Sequence, residues 1–132
     1  MMNNEIKIEF GSGKKLSAVS DDYCIDVDMP VNEGGEGSAP EPTHLFLASL
    51  ATCAAHYARK FCEARSLPME GLGLKVRYQY NEEGDQIAKF TYELSIPEGF
   101  PEKYKAALLR ALDLCPIKKL LMSPPSFQLE IV

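Results

Sequence analysis

Polar and apolar residues alternate at three places in the first thirty positions. Glu5-Ile6-Lys7-Ile8-Glu9-Phe10 has the period-two pattern of a half-buried strand. Gly11-Ser12-Gly13-Lys14-Lys15 reads as a turn, and residues 16–19 resume as a partner strand. After Asp21-Asp22 a third strand is expected over residues 23–29. Residues 31–42 are rich in Gly, Pro and Glu, which predicts a loop, the segment best suited to move or to face a substrate.

The pattern changes at about Thr43. Through Ala64, apolar residues such as Leu45, Phe46, Leu47, Leu50, Ala51, Ala54, Ala55, Tyr57, Ala58 and Phe61 fall nearly all round a helix. Such a helix is expected to be central and buried on more than one face. Ser66-Leu67-Pro68 ends it. Leu72, Leu74, Val76, Tyr78 and Tyr80 alternate along a strand, Asn81 to Asp85 turn the chain, and residues 86–96 return. Pro101 suits the first turn of a helix running to about Leu114, with Tyr104, Ala107, Leu108, Leu109 and Leu112 largely on one face. Cys115-Pro116 opens a short helix that Ser123-Pro124-Pro125 stops, and residues 126–132 are expected to close as a strand. The order β-β-β-α-β-β-α-α-β predicts an α+β fold of antiparallel hairpins, in one domain over residues 1–132.

Composition narrows the function. The chain has 132 residues, 45% hydrophobic and 25% charged, as an ordinary globular domain does. Its net charge of −5 leaves no basic footprint for nucleic acid or an anionic membrane. No apolar run has the length of a membrane span, and the first residues lack the apolar stretch of a signal peptide. Four cysteines are too few for a disulfide scaffold and match no zinc spacing. A reducing cytoplasm is the expected setting, with free thiols and no metal or cofactor.

Two of those cysteines carry the candidate chemistry. Cys53 lies in the middle of the small, apolar helical run, and Cys115 stands before Pro116 at the start of a new helix. Either context can stabilise a thiolate, although a cysteine on an apolar helix is also an ordinary small core residue. His56, three residues on from Cys53, falls on the same helix face and can accept a proton there or be a polar residue of a packed helix. Cys24 and Cys62 are expected to be packing residues, and Tyr78, Tyr80 and Tyr92 to face the core or the sheet surface.

The run Pro42-Thr43-His44-Leu45-Phe46-Leu47-Ala48-Ser49-Leu50-Ala51-Thr52-Cys53 and the later Cys115-Pro116-Ile117 resemble the two cysteine motifs of the OsmC/Ohr family. The 62 positions between the cysteines and the order of elements fit as well. The resemblance implies an intertwined homodimer whose sites lie near the subunit interface. It implies a thiol peroxidase in which Cys53 attacks an organic hydroperoxide and becomes a sulfenic acid. Cys115 then resolves it to a disulfide, and an external dithiol resets the pair. Phe46, Leu50 and Tyr57 would line an apolar substrate pocket.

The family's glutamate at the start of the cysteine helix has Thr43 and His44 in its place here, and no arginine precedes Arg59. Glu41, Lys14, Lys15 and His56 are the candidate supporting groups. The departures leave a second reading open, a ligand-binding or redox-sensing protein of the same fold with weak or no peroxidase activity. A third is a structural role in which both thiols are inert.

Overall fold

A computed structural model describes residues 4–132. The chain forms two compact units, Met1–Phe46 and Leu47–Val132.

The first unit is a three-stranded antiparallel meander, β1 (Lys7–Phe10), β2 (Leu16–Val19) and β3 (Cys24–Val27), in that spatial order. Leu16 pairs with both Phe10 and Val27, which fixes the register from either side. The first connection closes through the Gly11 N–H on the Lys15 carbonyl, with Gly13 in the left-handed region (φ 61°). The strands are thinly covered: Ile8, Phe10 and Ile25 are exposed.

The segment after β3 is fastened, not free as its composition suggested. Asp28 is only 1% exposed, and its carboxylate accepts hydrogen bonds from four groups. These are the N–H groups of Met29 (2.8 Å), Glu36 (3.3 Å) and Ser38 (3.1 Å), and the Ser38 hydroxyl (2.7 Å). The Ser38 hydroxyl and N–H, with the Met29 and Glu36 N–H groups, favour the charged form against burial and lower the Asp28 pKa to about 2. The glycines serve tight geometry here: a Cβ on Gly35 would fall 1.9 Å from the Met29 carbonyl oxygen.

Helix α1 (Pro42–Ala64) starts with proline in its first turn, the Leu45 N–H bonding to the Glu41 carbonyl. Its buried residues are Leu50, Ala54, Ala58 and Cys62, four positions each at a spacing of four. This is a single stripe. Ala48, Thr52, Ala55, His56 and Arg59 are exposed, so the expectation of burial on several faces is not met within this chain. The helix ends in a Schellman arrangement, the Leu67 N–H reaching back to the Cys62 carbonyl (2.9 Å) with Ser66 left-handed (φ 52°).

In the second unit, β4 (Gly73–Tyr80) and β5 (Ile87–Ser95) form an antiparallel hairpin with an irregularity between Gln79 and Tyr80. Helix α2 (Glu102–Ala111) runs through a 3-10 turn (Leu112–Leu114) into α3 (Pro116–Met122). Ala54, Ala58 and Cys62 of α1 meet Phe100, Leu108 and Leu112 in the core, with Leu74, Tyr92 and Leu94 of the hairpin packed against it. Leu109, expected on the buried face of α2, is exposed.

The expected last strand does not form. Residues 123–132 are exposed and carry neither helix nor strand. Phe127, Leu129 and Ile131 keep the alternation of a strand while being 88%, 96% and 102% exposed. The period is there but, among the described residues, no neighbouring backbone pairs with it, and a strand needs one.

Candidate active site

Cys53 and Cys115 come together in the second unit. Cys53 is half-buried on α1, at the edge of the stripe that begins with Leu50 and Ala54. Cys115 is fully buried and caps α3, its Sγ accepting the Lys118 N–H at 3.4 Å. Pro116 in the first helical position has no N–H of its own to satisfy, which leaves the cap to serve Lys118. The Lys118 ammonium closes the same turn by pairing with the Asp113 carboxylate. Cys115 and the Ile117 N–H both lie close enough to the Cys53 thiol to shift its pKa. All four cysteines are free thiols.

This environment raises the Cys53 pKa, where the sequence context suggested that a thiolate could be stabilised. Burial pushes the Cys53 pKa up, and so does the nearby Cys115; the Ile117 N–H pulls the other way. None of these influences is cationic.

The remaining candidates are more dispersed. Lys15, in the first unit, is held by Glu36 (2.9 Å). Lys14 is exposed in the β1–β2 turn, and Glu41 is half-buried just ahead of α1. His56 is exposed, its ring edge-on to that of Tyr57 with centroids 5.2 Å apart. Leu50 is buried, and Phe46 and Tyr57 are half-buried. Beside the Cys115 turn lies a cavity of about 210 Å³, lined by Tyr92, Leu109, Arg110, Leu112 and Asp113. Cys62 is buried in the core as expected; Cys24 is exposed on β3, with its Sγ 3.8 Å from an Asp26 carboxylate oxygen, and so is not a packing residue.

Tyr92, expected to face the core or the sheet surface, packs against the core. It is half-buried on β5 opposite Val76, and burial followed by Cys115, Asp113 and Cys53 raises its pKa. Its one signal in the sequence is a polar-tipped residue at the centre of Phe90-x-Tyr92-x-Leu94.

The model of the OsmC-like protein family matches residues 35–130, which include both cysteines. The chain belongs to the OsmC-like protein family. Solved structures of that kind share its fold. A protein of Psychrobacter arcticus described as an osmotic stress induced and detoxification response protein superposes with a TM-score of 0.72 at 20% identity, over 86% of this chain and 85% of that one. An OsmC-like protein of Mycoplasma pneumoniae gives 0.71 at 17% identity, over 91% and 87%. The organic hydroperoxide resistance protein OsmC of Legionella pneumophila gives 0.62 at 21% identity, over 90% and 88%. No curated protein matches the chain. Thus the OsmC-like α+β fold, with antiparallel sheets and one long helix, is established, and the family includes hydroperoxide resistance proteins. Among the described residues, no helix is long and apolar enough to cross a membrane.

Proposed function

We propose that this OsmC-like protein is a thiol-dependent peroxidase that reduces organic hydroperoxides in a reducing cytoplasm. Cys53 becomes the sulfenic acid, Cys115 resolves it to a disulfide, and an external dithiol restores both thiols. The observation that carries this reading is the nearness of the two thiols, close enough for Cys115 to raise the Cys53 pKa. A resolving sulfur held near the attacking one favours closure of the disulfide.

The whole chain acts as one domain, and two copies form the working unit. Exposed Ile8, Phe10 and Ile25 on the meander, and the bare alternation of Phe127, Leu129 and Ile131, support a homodimer that covers them. Lys14, Lys15, Glu41 and His56 enter as supporting groups to be tested singly, and Phe46, Leu50 and Tyr57 as apolar substrate contacts.

The deciding measurement is the rate of Cys53 oxidation by cumene hydroperoxide against hydrogen peroxide, with intact mass for the Cys53–Cys115 disulfide. Fast oxidation that prefers the organic peroxide is expected. Cys53→Ser should abolish turnover, and Cys115→Ser should leave a single sulfenic-acid event. Unchanged turnover in Cys53→Ser sinks the reading.

A second reading is favoured by the raised pKa of Cys53 with no cation to offset it. In it the protein binds a small molecule or senses redox state, with weak or no peroxidase activity. Oxidation at the speed of a free thiol, together with a ligand that protects Cys53 from alkylation, would select it.

A further inference from the structure

Reduction of a hydroperoxide releases an alkoxide, a far stronger base than a thiolate, which must gain a proton as the O–O bond breaks. Resting on the peroxidase reading above, we propose that Tyr92 is the general acid of this site, its phenol protonating the departing alkoxide.

The position of Tyr92 suits that task. Its ring packs against the core cluster that holds Ala54, the residue after Cys53, and Leu112, three residues before Cys115. The same side chain lines the cavity that Leu109 and Leu112 make apolar and that Asp113 bounds near the Cys115 turn. Tyr92 is thus common to the space an alkyl group can occupy and to the elements that carry both thiols. Burial, Cys115, Asp113 and Cys53 all act to keep the proton on its oxygen, so the acid stays loaded through the neutral range. A phenol is still far more acidic than an alcohol and gives its proton to an alkoxide readily.

The chemistry balances. Cys53 ionises, losing its proton to solvent, and its sulfur attacks the terminal peroxide oxygen. The S–O bond forms and the O–O bond breaks; the sulfur is oxidised and the peroxide reduced. Tyr92 gives its proton to the alkoxide, which leaves as the alcohol, and the phenolate regains a proton from solvent. Cys115 then attacks the sulfenic sulfur, the S–S bond forms, and the hydroxyl leaves with the Cys115 proton as water. The external dithiol reduces the disulfide.

The test compares wild type with Tyr92→Phe in single-turnover oxidation of Cys53 by cumene hydroperoxide and by peracetic acid. A peracid expels a carboxylate, which needs no proton. General acids contribute roughly 10²–10⁴-fold, so Tyr92→Phe should slow the cumene hydroperoxide reaction by at least ~100-fold and leave the peracetic acid rate unchanged. An equal loss with both oxidants would make Tyr92 structural and overturn the proposal. No loss with either would hand the proton to another donor, Cys115 first, and overturn it too. If wild type itself reacts with neither oxidant faster than free cysteine, the peroxidase reading fails and this proposal with it. Phenylalanine keeps the ring in the core, and an unchanged melting temperature confirms that the variant is folded.

Discussion

The Cys53 thiol on α1 and the Cys115 thiol at the cap of α3, 62 positions apart in the chain, lie close enough for Cys115 to raise the Cys53 pKa. Their nearness does two things of opposite value. It brings the resolving sulfur near the attacking one, and it disfavours the loss of the Cys53 proton that the reaction requires. The Ile117 N–H, presented at the start of α3, works against the second effect.

Removing Cys115 should therefore make Cys53 more acidic. In Cys115→Ala the thiol that raises its pKa is gone while the Ile117 N–H remains. The pH midpoint for alkylation of Cys53, followed by intact mass, should move down from the wild-type value. A midpoint that stays put or rises would mean that burial alone sets the reactivity.

Asp28 gives the first unit a defined acid sensitivity. Its folded pKa of about 2 lies below the ordinary 3.8, so the folded state binds its proton less tightly than the unfolded chain does. The stabilisation is complete above about pH 4 and is lost as the pH falls towards 2. Asp28→Asn should lower stability at neutral pH, because an amide NH₂ would face backbone N–H donors. It should also flatten the dependence of the urea midpoint on pH between 4 and 2. A slope equal to that of wild type in that window would assign the acid response to other carboxylates.

Gly35 sits where the same loop passes closest to its own backbone. A methyl group there would meet the Met29 carbonyl oxygen at 1.9 Å and the Asp28 carboxylate at 2.9 Å. The first is main chain and cannot swing aside, so Gly35→Ala must displace the loop from Asp28. Overpacking of this kind typically costs about 1–3 kcal/mol. Limited proteolysis should cut the variant between residues 29 and 40 much faster than wild type. Equal cleavage rates would show that the loop absorbs the methyl group.

Much of this was legible in the residues, and the failures share a cause. Pattern and turn chemistry located α1, the 16–19 strand, the β4–β5 hairpin and the Cys115-Pro116 helix start within a few positions, because each depends on neighbours in sequence. The nearness of Cys53 and Cys115 came from the family motif, since no periodicity brings α1 to α3. Residues 126–132 read as a strand because Phe127, Leu129 and Ile131 alternate, but alternation cannot supply the backbone that a strand must pair with. Residues 31–42 read as loose because they hold glycines. In the fold Gly35 allows close approach to Met29 and Asp28, a buried acid that its sequence context does not reveal. Tyr92 reads in the sequence only as a core or sheet-surface residue, because its distinction is a neighbourhood built from β5, the Cys115 turn and α1.

Ser66 ends α1 in a conformation that serine tolerates poorly. Its φ of 52° lies in the left-handed region, where a Cβ crowds the carbonyl, and it occupies the position that glycine usually takes in a Schellman ending. The Leu67 N–H bonds to the Cys62 carbonyl across it, and Leu67 packs against the core, so the backbone there is held. Glycine would adopt the same geometry without the Cβ penalty, offset in part by its greater freedom in the unfolded chain. Ser66→Gly should raise stability by about 0.5–1 kcal/mol and leave the oxidation rate of Cys53 unchanged. Denaturant titration of the two proteins side by side measures it. A loss of stability would mean that the unfolded-state entropy outweighs the strain, and that the Schellman turn holds Ser66 at little cost.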